Sequence, residues 1–324
     1  GKSQMKLTVT SSPHIRGKDT IQRTMVDVLI ALVPALIAST VVMGPRNLGV
    51  AVVSMSAAIA AEWLFSLACK KPNPVRDGSA AVTGLLLSMT LPATIPYWMA
   101  ALGAAFAVIV VKGAFGGLGQ NIFNPALAAR AFLLVLFPAA LVRYAAPGQN
   151  LSLFGTVDAI VSATPLHHMQ MPVLPEQSLW EMLMGNSSGT LSEGLLLLGG
   201  VYLVWRKVIS VRIPAAYLGT LAALTFIFYK GEDPLAWMLY SLLSGGVVLG
   251  AVFMATDYVT SPVTPKGQIL YGMGCGALTM VFRYVGLYPE GVTYAILMMN
   301  ATVWLLERLA PPRPFGEKKG GVLL

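Results

Sequence analysis

Long apolar stretches separated by short polar links dominate the pattern of hydrophobic and polar positions along this chain. Ten stretches have helical length, and helices are predicted at residues 21–43, 48–68, 80–91, 95–111, 126–141, 191–205, 214–229, 235–255, 268–284 and 291–309. A helix needs about 20 apolar residues to cross a bilayer, and several of these stretches reach that length. The pattern therefore predicts an all-α polytopic membrane protein with about ten transmembrane helices, some of them interrupted or half-length.

The composition supports a membrane protein and argues against several other classes of protein. The 324 residues are 56% hydrophobic and 11% charged, whereas a soluble domain carries about 25% charged residues. The net charge of +8 does not indicate a nucleic-acid partner, because the basic residues lie between apolar stretches and are not interleaved with aromatic residues on one face. Cys69 and Cys275 are far apart in apolar segments, so this chain alone can build neither a zinc site nor a cysteine-held iron–sulfur cluster.

The distribution of lysine and arginine orients the predicted helices. Most of the 22 basic residues fall in links on one side, which the positive-inside rule assigns to the cytoplasm together with both termini. After five spans, the long polar loop then faces outward. The predicted parts are a cytoplasmic segment (1–20), a first membrane repeat (21–142), an extracytoplasmic loop (143–190), a second membrane repeat (191–310) and a cytoplasmic tail (311–324).

Similar stretches in the two halves indicate an internal duplication. Residues 79–90 can be laid against 245–256, and 121–132 against 291–303, with an asparagine inside each apolar run of the second pair. Five spans per half make this an inverted repeat, an arrangement that places sites near the midplane at interrupted helices. The alternative is a chance likeness between helices rich in glycine, alanine and leucine.

Polar residues inside or beside the spans are candidates for a cavity. The glycine-rich stretch 112–125 cannot be a lipid-facing helix, because non-helical backbone at membrane depth has to lie inside protein or against a cavity. The candidate cavity residues are Asn121, Asn124, Asp257 and Asn300.

Two further carboxylates lie toward the cytoplasmic ends of the first two predicted helices. Two interpretations are open for Asp27 and Glu62. Either they belong to an ion pathway, as intramembrane carboxylates often do, or their side chains reach water or the nearby basic residues. The expected basic partners in the second case are Arg23, Lys70 and Lys71.

The sequence Ser-Ala-Thr-Pro at 162–165 stands in the long polar loop. Pro165 biases Thr164 away from the α conformation, and Ala163 leaves the threonine hydroxyl sterically open. Taken alone, the tetrapeptide reads as a loop with a Ser/Thr turn.

Taken together and in order, several motifs resemble the D subunit of Rnf-type electron-transport complexes, which is similar to the B subunit of the sodium-pumping NADH:quinone oxidoreductase. The motifs are at residues 11–14, 73–79, 116–126, 162–165, 289–291 and 294–300. The resemblance covers essentially the whole chain. It implies a fold like that of urea channels and a place in a bacterial or archaeal cytoplasmic (inner) membrane.

The resemblance also implies a covalent cofactor. In that family the threonine matched by Thr164 carries FMN through a phosphoester bond, formed when its hydroxyl attacks the pyrophosphate of FAD on a separate flavin transferase outside the cytoplasm. Asp158, Ser162 and Ala163 match the rest of the attachment motif. Val161 departs from the family pattern, which often has a small hydroxyl residue there.

The implied function is that of an electron-carrying membrane subunit, not catalytic alone, in a complex that couples ferredoxin and NAD chemistry to Na⁺ or H⁺ transport. Its partners would be flavin and iron–sulfur subunits, the flavin transferase and membrane lipid. A second, non-covalent flavin (riboflavin) is also implied between the spans. The four candidate cavity residues would line its site or an ion cavity.

Two alternatives remain on sequence alone. One is the B-type subunit of the quinone reductase, whose chains usually begin with a longer cytoplasmic extension. The other is a channel or transporter with an inverted repeat and no redox role. Because one fold hosts many functions, the architecture does not distinguish a channel or transporter from an electron-carrying subunit. A covalent flavin would distinguish them.

Overall fold

The computed structural model describes residues 20–70, 77–154, 164–170, 173–189, 191–286 and 291–311. These residues form helices, and no β-strand occurs among them. In chain order the helices are α1 Ile21–Met43, α2 Pro45–Ala68, α3 Ser79–Thr90, α4 Tyr97–Phe106, α5 Pro125–Leu136, α6 Pro138–Leu141, α7 Pro165–Gln170, α8 Leu179–Met184, α9 Glu193–Trp205, α10 Arg212–Ile227, α11 Pro234–Leu242, α12 Val247–Leu249, α13 Pro265–Val285 and α14 Val292–Leu309. Two helices continue as π-helical segments, α4 through Ala107–Gly113 and α12 through Gly250–Met254.

Length and hydropathy identify two clear membrane spans in the described part of the chain, α1 and α2. A third is the pair Pro234–Leu242 and Val247–Met254, which is bent by 59° at its break. The other apolar helices are shorter, for example α3 with 12 residues and α5 with 12 residues. The helical membrane protein predicted from the pattern is therefore confirmed in class, while the number of about ten spans stays a prediction.

The helix predicted at 235–255 is wrong in one respect, because it is broken. α11 ends at Leu242 and the helix resumes at Val247, after Gly245 and Gly246 with φ of 63° and 66°. Backbone carbonyls freed by such a break need donors inside the protein. Arg283 supplies them, donating to the carbonyl oxygens of Ser241 at 2.6 Å and Ser244 at 2.7 Å.

Two short helices, α7 and α8, lie within the long polar loop between the two halves of the chain. A capping box opens α8: Ser178 Oγ accepts from the backbone N of Glu181, and the Glu181 carboxylate accepts from the backbone N of Ser178. This reciprocal pair satisfies two donors that a helix start leaves unpaired.

The two carboxylates of α1 and α2 have partners on other elements than expected. Asp27 accepts from Arg206 at 3.1 Å and from the Tyr202 hydroxyl at 2.9 Å, both on or next to α9. Glu62 pairs with Lys112 at 2.5 Å. The expected partners Arg23 and Lys70 are therefore wrong, and Lys71 lies outside the described residues. Helix packing brings Arg206 and Lys112, which are distant in the sequence, next to these carboxylates.

Small residues let the helices approach closely. A Cβ on Gly84 of α3 would lie 2.7 Å from Met55 Cα of α2, and Ser54 Oγ donates to the Gly84 carbonyl at 2.8 Å. A Cβ on Gly272 of α13 would lie 2.7 Å from the carbonyl oxygen of Ile213 on α10. Within a lipid bilayer the hydrophobic effect does not drive helices together, so helices usually associate through close contacts between small residues such as these.

The Glu62–Lys112 pair gives a stability prediction. Both side chains are buried, and removing one partner of a buried ion pair costs about 3–5 kcal/mol because the other charge stays buried. We expect Lys112→Met to lower the melting temperature in detergent, measured by scanning fluorimetry, and the double variant Glu62→Gln/Lys112→Met to recover most of the loss. Equal melting temperatures for the single and double variants would contradict this reading of the pair.

Candidate functional site

Thr164 lies immediately before α7 and is half-buried. Its Oγ1 accepts from the backbone N of His167 at 3.3 Å, and its carbonyl oxygen accepts from the same N at 2.9 Å. The helix begins only at Pro165, so the expectation that Thr164 itself stays outside a helix is confirmed. Because Oγ1 acts as an acceptor in its hydrogen bond to His167, that bond does not use the hydroxyl proton.

The Thr164 side chain packs against the backbone of Gly189. A Cβ on Gly189 would lie 2.7 Å from Thr164 Cγ2 and 3.1 Å from Tyr144 Cδ1. Gly189 also has φ of 69°, a conformation that favours glycine. The three residues thus form one contact at the edge of a cavity, which Gly189 and Tyr144 line.

This cavity, called the outer cavity because it lies at the end predicted to be extracytoplasmic, has apolar walls and a few polar groups. Its polar side chains are Ser39, Asn47, Thr90, Arg130, Tyr144 and Thr293. Its larger apolar side chains include Met43, Met89, Leu127, Leu249 and Met254. Cavities of this kind, mostly apolar with a few convergent polar groups, are typical of sites for small molecules and cofactors.

Arg130 provides the charge of the outer cavity. It stands on α5, is buried, and is the one side chain charged at neutral pH among the described residues of the lining. Its Nη2 donates to the Tyr144 hydroxyl at 3.4 Å. The lining of the cavity near α5 is therefore polar and carries a buried cation.

The break between α11 and α12 forms another wall of the outer cavity. Gly245 and Gly246 line it. A Cβ on Gly245 would lie 2.6 Å from Leu166 Cδ2 and 2.8 Å from Arg283 Nη2. The segment that follows Thr164 therefore packs directly on the broken span.

A second cavity, the inner cavity, lies between the cytoplasm-predicted ends of several helices. Three of the four candidate cavity residues line it, namely Asn121, Asn124 and Asp257. Lys112 also contributes to its lining. The Asp257 carboxylate accepts from the backbone N of Val259 at 3.3 Å and from the Thr260 hydroxyl at 3.2 Å.

The fourth candidate, Asn300, is not among the residues that line the inner cavity but bonds to one of them, and its predicted role stays a prediction. Its Oδ1 accepts from the backbone N of Asn124 at 3.1 Å, and its Nδ2 donates to the Thr260 carbonyl at 2.9 Å and the Tyr271 hydroxyl at 2.7 Å. Asn124 Nδ2 in turn donates to the Met254 carbonyl at 3.2 Å. Since Asn124 lines the inner cavity and Met254 the outer one, this hydrogen-bonded node lies in the wall between them.

The other residues of the attachment motif, Asp158, Ser162 and Ala163, lie outside the described residues. The sequence pattern does not single out three residues of the outer end, namely Arg130, Glu193 and Arg283, all buried in the structure. An ionisable residue inside or at the edge of an apolar stretch is the signal that could have found them. In the sequence the same signal points to the acidic residues near the cytoplasm-predicted ends, such as Asp27 and Glu62.

Comparison with known proteins gives matches over nearly the whole chain. A family model described as "NQR2, RnfD, RnfE family" matches residues 8–316. The D subunit of the Na(+)-translocating ferredoxin:NAD(+) oxidoreductase complex of Acetobacterium woodii is 42% identical over 323 residues, covering 98% of each chain. The D subunit of the proton-translocating ferredoxin:NAD(+) oxidoreductase complex of Clostridium ljungdahlii is 40% identical, covering 96% of this chain and 97% of its own. The D subunit of the ion-translocating oxidoreductase complex of Halorhodospira halophila is 34% identical, covering 98% and 97%.

The two glycines at the break provide a matched pair of substitutions. Both have positive φ, so alanine costs about 1–2 kcal/mol of backbone strain at either position. Only at Gly245 would the new methyl group also meet Leu166 and Arg283, since nothing lies within 4 Å of a Cβ on Gly246. We expect Gly245→Ala to lower the melting temperature clearly more than Gly246→Ala; equal shifts would show that the contact between the Thr164 segment and the break is loose.

Proposed function

Because the chain belongs to the NQR2, RnfD, RnfE family, we propose that it is an electron-carrying membrane subunit of an ion-translocating ferredoxin:NAD oxidoreductase complex, with FMN joined to Thr164 by a phosphoester bond. The observation that carries this proposal is the position of the Thr164 side chain, half-buried and in contact with Gly189 at the edge of the outer cavity. A group attached to this residue would stand next to Gly189, which lines the cavity.

The lining of the outer cavity fits a flavin. Methionine and leucine side chains provide apolar walls for a flat ring system, and polar side chains such as Thr90, Tyr144 and Thr293 provide partners for its nitrogen and oxygen atoms. Arg130, buried in the same lining, is a guanidinium that would stand next to the bound group. FMN, when bound, supplies the electron-transfer chemistry, while these residues hold and orient it.

The inner cavity is our candidate for a second, non-covalent flavin (riboflavin) or for an ion. Asn121 and Asp257 offer it amide and carboxylate groups. Lys112 is already paired with Glu62, so it adds little free positive charge. This balance suits a neutral ligand without phosphate, or a cation held by oxygen atoms.

The topology of the proposal follows the charge distribution. Both termini lie in the cytoplasm, Thr164 lies outside, and two repeats of five spans, 21–142 and 191–310, are inverted in a bacterial or archaeal cytoplasmic membrane. The pairs Asp27–Arg206 and Glu62–Lys112 lie at the end of the molecule that this topology assigns to the cytoplasm. A flavin transferase outside the cytoplasm would then have access to Thr164, and flavin and iron–sulfur subunits would exchange electrons with it.

Two rival functions make different predictions. The relatives at 42% and 40% identity are both named as the D subunit of a ferredoxin:NAD oxidoreductase complex, which favours this assignment over a B-type subunit of the quinone reductase. The same two names differ in the ion, so Na⁺ and H⁺ both remain within the proposal. A channel or transporter without a redox role would carry no covalent flavin.

Thr164→Val tests the attachment. The variant removes the hydroxyl but keeps the branched shape, so we expect the fluorescence of the polypeptide on a denaturing gel to be lost when the chain is produced together with its flavin transferase. Thr94→Val is the matched control, since Thr94 is another threonine at the same end, where its hydroxyl donates to the Arg143 carbonyl.

The control should stay as fluorescent as the wild type. A dark wild-type band under these conditions would favour the channel or transporter. A band that stays fluorescent in Thr164→Val would move the attachment to another residue.

Asp257→Asn tests the inner cavity. The change removes one negative charge from the lining and keeps the size of the side chain. In vesicles containing the complex, we expect ion uptake per electron transferred to fall several-fold, and Glu307→Gln, at the same end but outside the lining, to leave it unchanged. Unaltered electron transfer together with unaltered ion uptake in Asp257→Asn would exclude a role of this carboxylate in coupling.

A further inference from the structure

The side chain of Thr164 is held on both branches of its Cβ. The methyl carbon Cγ2 packs against Gly189, where an added Cβ would lie 2.7 Å from it. The other branch, Oγ1, accepts from the backbone N of His167 at 3.3 Å. The two branches leave one carbon atom in a few staggered orientations, so they turn together about the Cα–Cβ bond. A contact that holds the methyl group therefore also sets the direction in which Oγ1 leaves Cβ.

Gly189 leaves the space that this methyl group occupies. A Cβ on Gly189 would lie 2.7 Å from Thr164 Cγ2 and 3.1 Å from Tyr144 Cδ1, whereas carbon atoms in contact stand about 3.5–4.0 Å apart. Any side chain at this position would therefore displace the methyl group, the Tyr144 ring or the backbone that carries them.

The backbone on both sides of the contact is held by packing. Ser187 and Ser188, directly before Gly189, are fully buried. Leu166, two residues after Thr164, is buried against the broken span. The rotamer of Thr164 is therefore the part of this contact that can change with the least disturbance of the surrounding structure.

We propose that the contact between the Thr164 methyl group and Gly189 positions the flavin, because it fixes the direction of Oγ1 and hence of the phosphate joined to it. Gly189 is thus a positioning residue, and the methyl group gives threonine a role that a plain hydroxyl would not fill. Thr164→Ser would keep the hydroxyl but leave it three staggered orientations. The bond from the His167 N uses a lone pair of Oγ1, so it is compatible with an ester at that oxygen. The inference rests on the proposed function.

Melting temperatures test the contact without a flavin. Gly148 also has positive φ, 80°, but nothing lies within 4 Å of a Cβ there, so Gly148→Ala is the matched control. We expect Gly189→Ala to melt several degrees below Gly148→Ala when the full chain is heated in detergent. The double variant Thr164→Ser/Gly189→Ala, which lacks the displaced methyl group, should recover most of that difference. Equal shifts for the two glycines, or a double variant without recovery, would overturn the inference.

Fluorescence anisotropy tests the position of the flavin on the full chain produced with its flavin transferase. The signal of Thr164→Val, which lacks the attachment hydroxyl, is subtracted to remove any non-covalent flavin. We expect the wild type and Gly148→Ala to keep a high residual anisotropy, because the flavin turns with the protein. Gly189→Ala and Thr164→Ser should lose most of it, because the flavin then rotates about a linkage of unfixed direction.

The outcomes separate this inference from the proposed function. A wild type without covalent flavin on a denaturing gel overturns the proposed function, while the melting temperatures still test the contact. A flavinylated Gly189→Ala with the anisotropy of Gly148→Ala overturns the positioning role alone. Loss of the flavin from Gly189→Ala only would also overturn it, because the contact would then serve the attachment reaction. If Gly189→Ala does not fold, Thr164→Ser and the double variant are judged by the same criteria.

Discussion

The hydrogen bond between the backbone N of Asn124 and the side chain of Asn300 is the contact on which the interior of this protein depends. Non-helical backbone within a bilayer is tolerated only where the protein supplies partners for its polar groups. Asn124 caps α5 through its own Oδ1 and reaches the Met254 carbonyl through its Nδ2, while Asn300 holds the loop after the π-helical segment through Thr260. These bonds join the ends of both interrupted regions and form the wall between the outer and inner cavities.

Buried charged side chains lie next to irregular backbone at both ends of the molecule. Arg283 supplies donors to the broken span at the outer end, and Lys112, in the first π-helical segment, pairs with Glu62 at the inner end. Both cations are buried: Arg283 bonds the carbonyl oxygens at the break, whereas Lys112 bonds the side chains of Glu62 and Ser79 beside the inner cavity. The glycines of the broken span thus line the outer cavity, and a buried arginine keeps that break in place. In this arrangement Thr164 lies next to the outer cavity through its contact with Gly189.

The sequence was sufficient for features that depend on neighbours along the chain. The bounds of α1 follow from an apolar run between the cap Thr20 and the Gly44–Pro45 turn, and Pro165 marks where α7 begins, with Thr164 just outside it. It was insufficient where partners are remote. Asp27 finds Arg206 across 179 positions, and Asn124 finds Asn300 across 176. Gly245 and Gly246 indicate the break in the predicted helix at 235–255, but the apolar residues around them favour one continuous helix. Glu193 has the sequence pattern of an ordinary acidic residue at the start of a helix.

The redox function proposed for this protein requires a flavin phosphate esterified to one threonine at the edge of the outer cavity. Peptide mass spectrometry on the chain isolated from its native membrane examines that bond without any intermediate assumption. We expect the peptide containing Thr164 to carry the added mass of FMN less water, with fragment ions that place it on that residue. An unmodified Thr164 peptide, recovered in full yield from a functional complex, would contradict the attachment and the electron-carrying role built on it.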